Sequence, residues 1–131
     1  MDRFSNDAPF ALIADDDPVS RRVVQAVLHK SGFVTEFALN GEEVEACVTR
    51  RKPRVVVLDL MMPVQDGFTT LIKLRADPLL ADVAIVMLTA RSNNNDERRC
   101  RAAGATDFLV KPFDPDTLAA RMRELVVPKP V

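Results

Sequence analysis

Five residues carry side chains that could do chemistry together: Asp15, Asp16, Asp59, Thr89 and Lys111. Asp59 closes the run Val55-Val56-Val57-Leu58, apolar and rich in β-branched residues. Such a run reads as a strand buried on both faces, the kind found in parallel sheets covered by helices. A carboxylate at the end of a buried strand is costly unless a metal or a hydrogen-bond donor holds it. Asp15 and Asp16 follow a second apolar run, residues 10–14. Thr89 follows a third, residues 83–88, and Lys111 a fourth, residues 106–110. Carboxylates gathered in one crevice repel one another, so some are protonated or a cation neutralises them. A hard, oxygen-seeking divalent ion suits that role, and Mg2+ is the usual cellular choice. Carboxylates, metal, hydroxyl and ammonium together make a site for a phosphoryl group.

The elements between these residues determine whether they meet. Asp17-Pro18 is a helix start, an N-cap followed by a proline whose missing N–H costs nothing there. Val19, Val23, Val27 and Leu28 then predict one helix face, which Gly32 ends. Residues 33–38 form a less apolar strand, so one nearer an edge. Asn40 with Glu43 resembles a capping box, and Val44, Cys47 and Val48 mark the inner face of the helix it opens. Asp66 caps a third helix with Phe68, Leu71 and Ile72 inward. The polar loop 92–95 leads to a helix at residues 96–103 with few apolar side chains, so the least firmly packed of the set. Asp114-Pro115 starts the last helix, with Leu118, Met122, Leu125 and Val126 as its apolar stripe.

Five strands alternating with five helices predict an α/β fold: one doubly wound, five-stranded parallel sheet. At this length the flavodoxin-like order 2-1-3-4-5 is the expectation. It places strands one and three side by side, and with them Asp15, Asp16 and Asp59. The expected division is an N-terminal extension at 1–9, one domain at 10–126, and a tail or linker start at 127–131.

Composition excludes several classes. Eighteen basic against nineteen acidic residues give a net charge of -1, so no overall basic field exists to hold nucleic acid or anionic lipid. No apolar run is long enough for a membrane span. Two cysteines without a C-x-x-C spacing argue against a disulfide framework or zinc site and for a reducing, cytoplasmic setting.

Taken singly, each site residue has an ordinary reading: a solvated acidic loop, a turn residue, a strand end, a surface lysine. Their joint placement at the ends of strands one, three, four and five is what is improbable by accident. Leu12-Ile13-Ala14-Asp15-Asp16-Asp17, Val57-Leu58-Asp59-Leu60-Met61-Met62-Pro63 with Asp66-Gly67, Leu88-Thr89-Ala90 and Lys111-Pro112-Phe113 together resemble the response-regulator receiver domains of two-component signalling. The resemblance covers residues 10–126. It implies a receiver fold and a phospho-accepting switch rather than an enzyme, although such a domain assists its own phosphorylation and dephosphorylation. By the same resemblance, Asp59 is the phosphoacceptor, and the donor is a histidine kinase or phosphotransfer protein. Asp16, Asp59 and the Met61 backbone carbonyl bind Mg2+, with Asp15 acting through water. Lys111 pairs with the phosphoryl oxygens, Thr89 turns its hydroxyl onto them, and Phe108 is the aromatic switch, expected to pack inward when Thr89 moves. It also implies a cis peptide at Lys111-Pro112 and an effect of Met61 and Arg91 on phosphate lifetime.

Two other functions compete. A haloacid-dehalogenase-like phosphohydrolase needs a second Asp two residues beyond the nucleophile, where this chain has Met61. A receiver-like module without phosphorylation would have no use for the intact Asp, Thr and Lys set. His29, the single histidine, reads as a solvated helix-end residue, Cys47 as core and Cys100 as partly buried. Arg50-Arg51-Lys52 and Arg98-Arg99-Arg101 read as solvated faces; the second group, in the 96–126 face, is also a candidate homodimer surface. Arg121 and Asp107 match charged positions in the dimer network of DNA-binding relatives, but Thr117 stands where many of those have Glu.

Overall fold

The computed structural model describes residues 8–90 and 94–126, with the side chains of Asn94 and Val126 excepted. Arg91, half of the expected polar loop, most of the N-terminal extension and the tail lie outside the described residues. The strands are β1 (Phe10–Ala14), β2 (Val34–Ala38), β3 (Val55–Asp59), β4 (Ala84–Thr89) and β5 (Asp107–Val110). The helices are α1 (Pro18–Lys30), α2 (Gly41–Arg50), α3 (Gly67–Arg75), α4 (Asn94–Ala102) and α5 (Pro115–Val126). All strand pairs are parallel and the sheet order is β2-β1-β3-β4-β5, as expected.

Alternation along the strands builds two cores. Leu12, Val56, Leu58, Ile85 and Met87 point to one side, where Val44, Cys47, Leu71, Leu74 and Cys100 from α2, α3 and α4 meet them. Ile13, Val55, Val57, Val86 and Leu88 point to the other, against Val24, Val27, Leu28, Leu118 and Met122 of α1 and α5. Both faces of β1, β3 and β4 are therefore buried, which explains their continuous apolar runs.

Two helices differ from expectation in rotation. Val19 is exposed while Val24 takes the buried place on α1, and Ile72 is exposed while Leu74 is buried on α3. α4 begins at Asn94, two residues before the expected start, and a short 3-10 turn at Pro78–Leu80 joins α3 to β4. The N-cap residues are those expected, but Glu43 accepts from Leu39 N at 2.8 Å rather than from Asn40 N, so the expected capping box closes one residue earlier. Asp17 accepts from Val19 N, Asn40 from Glu43 N, and Asp66 from Thr69 N.

Gly67 has a requirement beyond the helix start. A Cβ there would lie 2.2 Å from the Asp59 carbonyl oxygen and 2.8 Å from Leu60 Cα, both backbone atoms. Gly67 N also donates to Leu60 O at 2.9 Å, closing the loop that follows β3. Gly67→Ala is expected to cost about 1–3 kcal/mol, the range of overpacking against an unyielding wall. Urea unfolding checks this; an unchanged midpoint would mean that the loop yields freely.

Candidate functional site

Strand pairing aligns the chemical residues. Ala14 is level with Leu58, so Asp15 and Asp59 follow at the same height. Asp59 is level with Leu88, and Thr89 comes one residue later, level with Val110 just before Lys111. One ligand oxygen each from Asp15, Asp16 and Asp59 lie within 4.8 Å of one another. Asp15 and Asp59 are buried and Asp16 is exposed, so the cluster opens to solvent on one side.

Lys111 reaches this cluster from β5. Its Nζ donates to Asp59 Oδ2 at 3.2 Å and lies 2.8 Å from Asp15 Oδ2. The shorter contact is ionic: Asp15 Oδ2 lacks a hydrogen bond of good direction. Asp15 Oδ1 accepts from Asp17 N, and Asp59 Oδ1 accepts from Met61 N. Lys111 N donates to Thr89 O at 2.7 Å, tying the ends of β4 and β5. The Lys111-Pro112 peptide is cis.

The electrostatics follow from burial and from this single shared cation. Burial, reinforced by the charge of Asp15, pushes the Asp59 carboxyl up to about 6, although Met61 N–H and Lys111 oppose the shift. Burial also acts to raise Asp15, but Lys111, the Asp17 N–H and the Ser20 hydroxyl outweigh it and hold Asp15 below the ordinary carboxylate value. Burial acts to lower Lys111, and the two carboxylates reverse that, so its ammonium is held more firmly than usual. Three carboxylates against one ammonium leave a local excess of negative charge. An all-oxygen donor set with that excess fits a hard divalent ion.

The other expected residues divide. Thr89 is buried at the end of β4. Phe108 is packed inward in the core that also holds Met87 and Cys100. Asp17 stays out of the cluster as the α1 cap. His29 is exposed and contacts Thr35 Oγ1 at 3.0 Å. Cys100 is fully buried rather than partly so, because α4 turns that one small apolar side chain into the core.

Both basic groups lie on exposed faces, as expected, and several of them make surface contacts. Arg99 lies over the Phe68 ring at 4.2 Å, Arg51 over Phe10 at 4.4 Å, and Lys52 pairs with Asp82 at 2.7 Å. Arg101 and Arg121 both bind the buried Asp107. Two grooves flank the carboxylates. One of about 520 Å3 runs past Asp16, Met61 and Pro63 to Phe68 and Arg99. The other, about 450 Å3, lies between Val19 and Val23 of α1 and Lys111, Pro112 and Phe113.

The sequence reading missed Gln65. Its Nε2 donates to Glu45 Oε2 and Thr70 Oγ1, and its Oε1 accepts from Lys73 Nζ. Asparagine-like polarity in a loop gives no signal for such long-range bonding.

Comparison with known proteins agrees with this geometry. The family model for the response regulator receiver domain matches residues 11–123. The chain is 38% identical over 118 residues to the DNA-binding dual master transcriptional regulator RpaA of Synechocystis, covering 90% of this chain and 49% of RpaA. It is 32% identical over 115 residues to the phosphate regulon transcriptional regulatory protein PhoB of Pseudomonas aeruginosa, covering 88% and 50%. The chain thus spans about half the length of these curated relatives. Among solved structures, the chemotaxis protein CheY4 of Vibrio cholerae superposes with a TM-score of 0.83 at 30% identity, covering 91% of this chain and 99% of that one. A response regulator of Chloroflexus aurantiacus superposes with a TM-score of 0.86 at 30% identity, covering 92% and 99%. The chain belongs to the response regulator receiver domains, the phospho-accepting switches of two-component signalling.

Proposed function

We propose that Asp59 accepts a phosphoryl group from a phosphohistidine on a histidine kinase or phosphotransfer protein. The observation that carries this reading is the shared contact of one ammonium, Lys111, with two buried carboxylates beside a third. Asp16, Asp59 and the Met61 carbonyl would hold Mg2+, with Asp15 acting through water. That ion would supply positive charge for the phosphoryl oxygens. An Asp59 carboxylate oxygen attacks phosphorus, the P–N bond breaks, and the imidazole leaves with the electron pair. Lys111, released from part of its pairing with Asp59, neutralises the phosphoryl oxygens. Thr89 donates its hydroxyl to them.

A phosphorylated Asp carries nearly two negative charges and strong acceptor oxygens. That change becomes a signal only through groups that hold it differently in two states. Thr89, Phe108 and α4 are the proposed groups, since Thr89 adjoins the site and α4, among its described side chains, commits only Cys100 fully to the core. The 89–126 face then controls a partner or an output domain, or pairs in a homodimer. RpaA and PhoB, transcriptional regulators about twice as long, support an output role outside residues 10–126. A cytoplasmic setting is part of the proposal; among the described residues, no helix is long and apolar enough to cross a membrane.

Incubation with a small phosphodonor and Mg2+, followed by intact-mass measurement, tests the central step. Wild type should gain one phosphoryl group and Asp59→Asn none. An adduct on both proteins, or on neither, removes the reading.

A further inference from the structure

The loop between β3 and α3 contains an unusual backbone position. Val64 has φ 68°, in the left-handed region, where a β-branched residue is an outlier. Gln65 N donates to Pro63 O at 2.7 Å, so Val64 is the central residue of a γ-turn of the rarer, strained hand. Its side chain is 73% exposed and offsets nothing by burial. Such local strain persists only where the surroundings over-determine it.

Gln65 is what over-determines it. Its side chain bonds to Glu45 on α2 at 3.0 Å and to Thr70 and Lys73 on α3 at 2.8 Å each. Its carbonyl accepts from Gly41 N at 3.2 Å. Thr70 Oγ1 is itself fixed by donating to Asp66 O. Gly41 leaves room for this arrangement, since a Cβ there would lie 2.0 Å from Thr70 Oγ1 and 2.8 Å from Gln65 O. One side chain thus joins two helices to the loop that carries Met61, whose N–H holds Asp59 Oδ1 at 3.1 Å.

We propose that Gln65 is a positioning residue that locks loop 60–66 to α2 and α3, presetting Asp59 and Met61 for a divalent cation, with Val64 held in its strained turn as a consequence. This inference rests on the Mg2+ site proposed above. Residues that orient metal ligands typically change metal affinity by about 10–100-fold when removed.

The test uses Gln65→Met, which keeps the length of the side chain and loses its three polar contacts, and Val64→Gly, which keeps those contacts and relieves the turn. Mg2+ affinity is measured by calorimetry, and amide hydrogen exchange is followed in the protein without metal. Gln65→Met is expected to bind Mg2+ about tenfold more weakly and to exchange the Met61 and Gln65 amides faster, with β1 and β3 unchanged. Val64→Gly is expected to melt higher than wild type and to bind Mg2+ as wild type does. Phosphorylation of Gln65→Met by a small phosphodonor should return to the wild-type rate at saturating Mg2+. Wild-type Mg2+ affinity in Gln65→Met overturns the proposal alone. A wild-type protein with no Mg2+ affinity overturns both the proposal and the metal site beneath it. Faster exchange spread evenly over β1 and β3 would reduce Gln65 to a general stabiliser and also overturn it.

Discussion

Lys111→Met is expected to lose about 3–5 kcal/mol of stability near neutral pH without metal, the usual result of leaving buried charge uncompensated. Lys111 Nζ lies 2.8 Å from Asp15 and 3.2 Å from Asp59, and both carboxylates are buried. Methionine fills a similar volume, so the loss is electrostatic rather than a cavity effect. Its pH dependence follows from Asp59, whose folded-state carboxyl is already pushed up to about 6 with Lys111 present. A carboxyl raised in the folded state binds more protons there than in the unfolded chain, between the ordinary value and the raised one. Stability therefore falls as pH rises through that window. Removing Lys111 moves the upper edge higher and deepens the fall. The variant should lie closest to wild type in mild acid and farthest from it at neutral pH. Mg2+ should raise the variant toward the stability of metal-free wild type by binding the folded state alone, about 2.7 kcal/mol at a hundredfold excess over Kd. Asp59→Asn should restore it too, and in the wild-type background should stabilise the protein without metal. Urea unfolding at both pH values, with and without Mg2+, checks all of these; a Lys111→Met protein as stable as wild type throughout would show that the ammonium does not compensate the carboxylates.

The parts of the site legible in the sequence are those marked by the ends of apolar runs. Asp15 and Lys111 follow, and Asp59 and Thr89 close, strands whose burial shows in their composition, and parallel pairing in the order 2-1-3-4-5 brings strand ends to one edge. Helix rotation was less legible. Val19, Val23, Val24, Val27 and Leu28 contain two overlapping stripes, and which one is buried depends on how α1 sits against β1 and α5. Ile72 and Leu74 pose the same ambiguity on α3. Gln65 was not legible as a site residue, and Gly67, although part of the motif with Asp66, gave no sign there of why a glycine is required. Gln65 bonds to Glu45, twenty positions earlier, and the constraint on Gly67 is the nearness of the Asp59 carbonyl. Neither leaves a local pattern, because both depend on where α2 and α3 come to rest.

The second large effect is expected at the start of β5. Asp107 is buried, and its two carboxylate oxygens are divided between Arg101 of α4, at 3.1 Å, and Arg121 of α5. Phe108 N adds a third donor at 2.9 Å. Burial acts to raise the Asp107 carboxyl, but Arg121, the Phe108 amide and Arg101 together hold it below the ordinary value. Both arginines are partly in solvent, so either alone should cost only about 1 kcal/mol when replaced by Ala. Removing both leaves a buried carboxylate with one amide donor, and the loss should rise to about 3–5 kcal/mol, well above the sum. The pH dependence should also change sign. In wild type a depressed carboxyl contributes stability that is present above its unfolded value and lost as pH falls through its folded one. Without the arginines, burial prevails and the carboxyl is raised, so that stability is instead lost as pH rises. The double variant should therefore approach wild type in acid and diverge from it at neutral pH. Since Asp107 is the side chain that α4 and α5 hold in common, amide exchange in both helices should quicken together in the double variant. Additive losses from the two arginines, with pH dependence unchanged, would mean that they act on Asp107 only as separate surface charges.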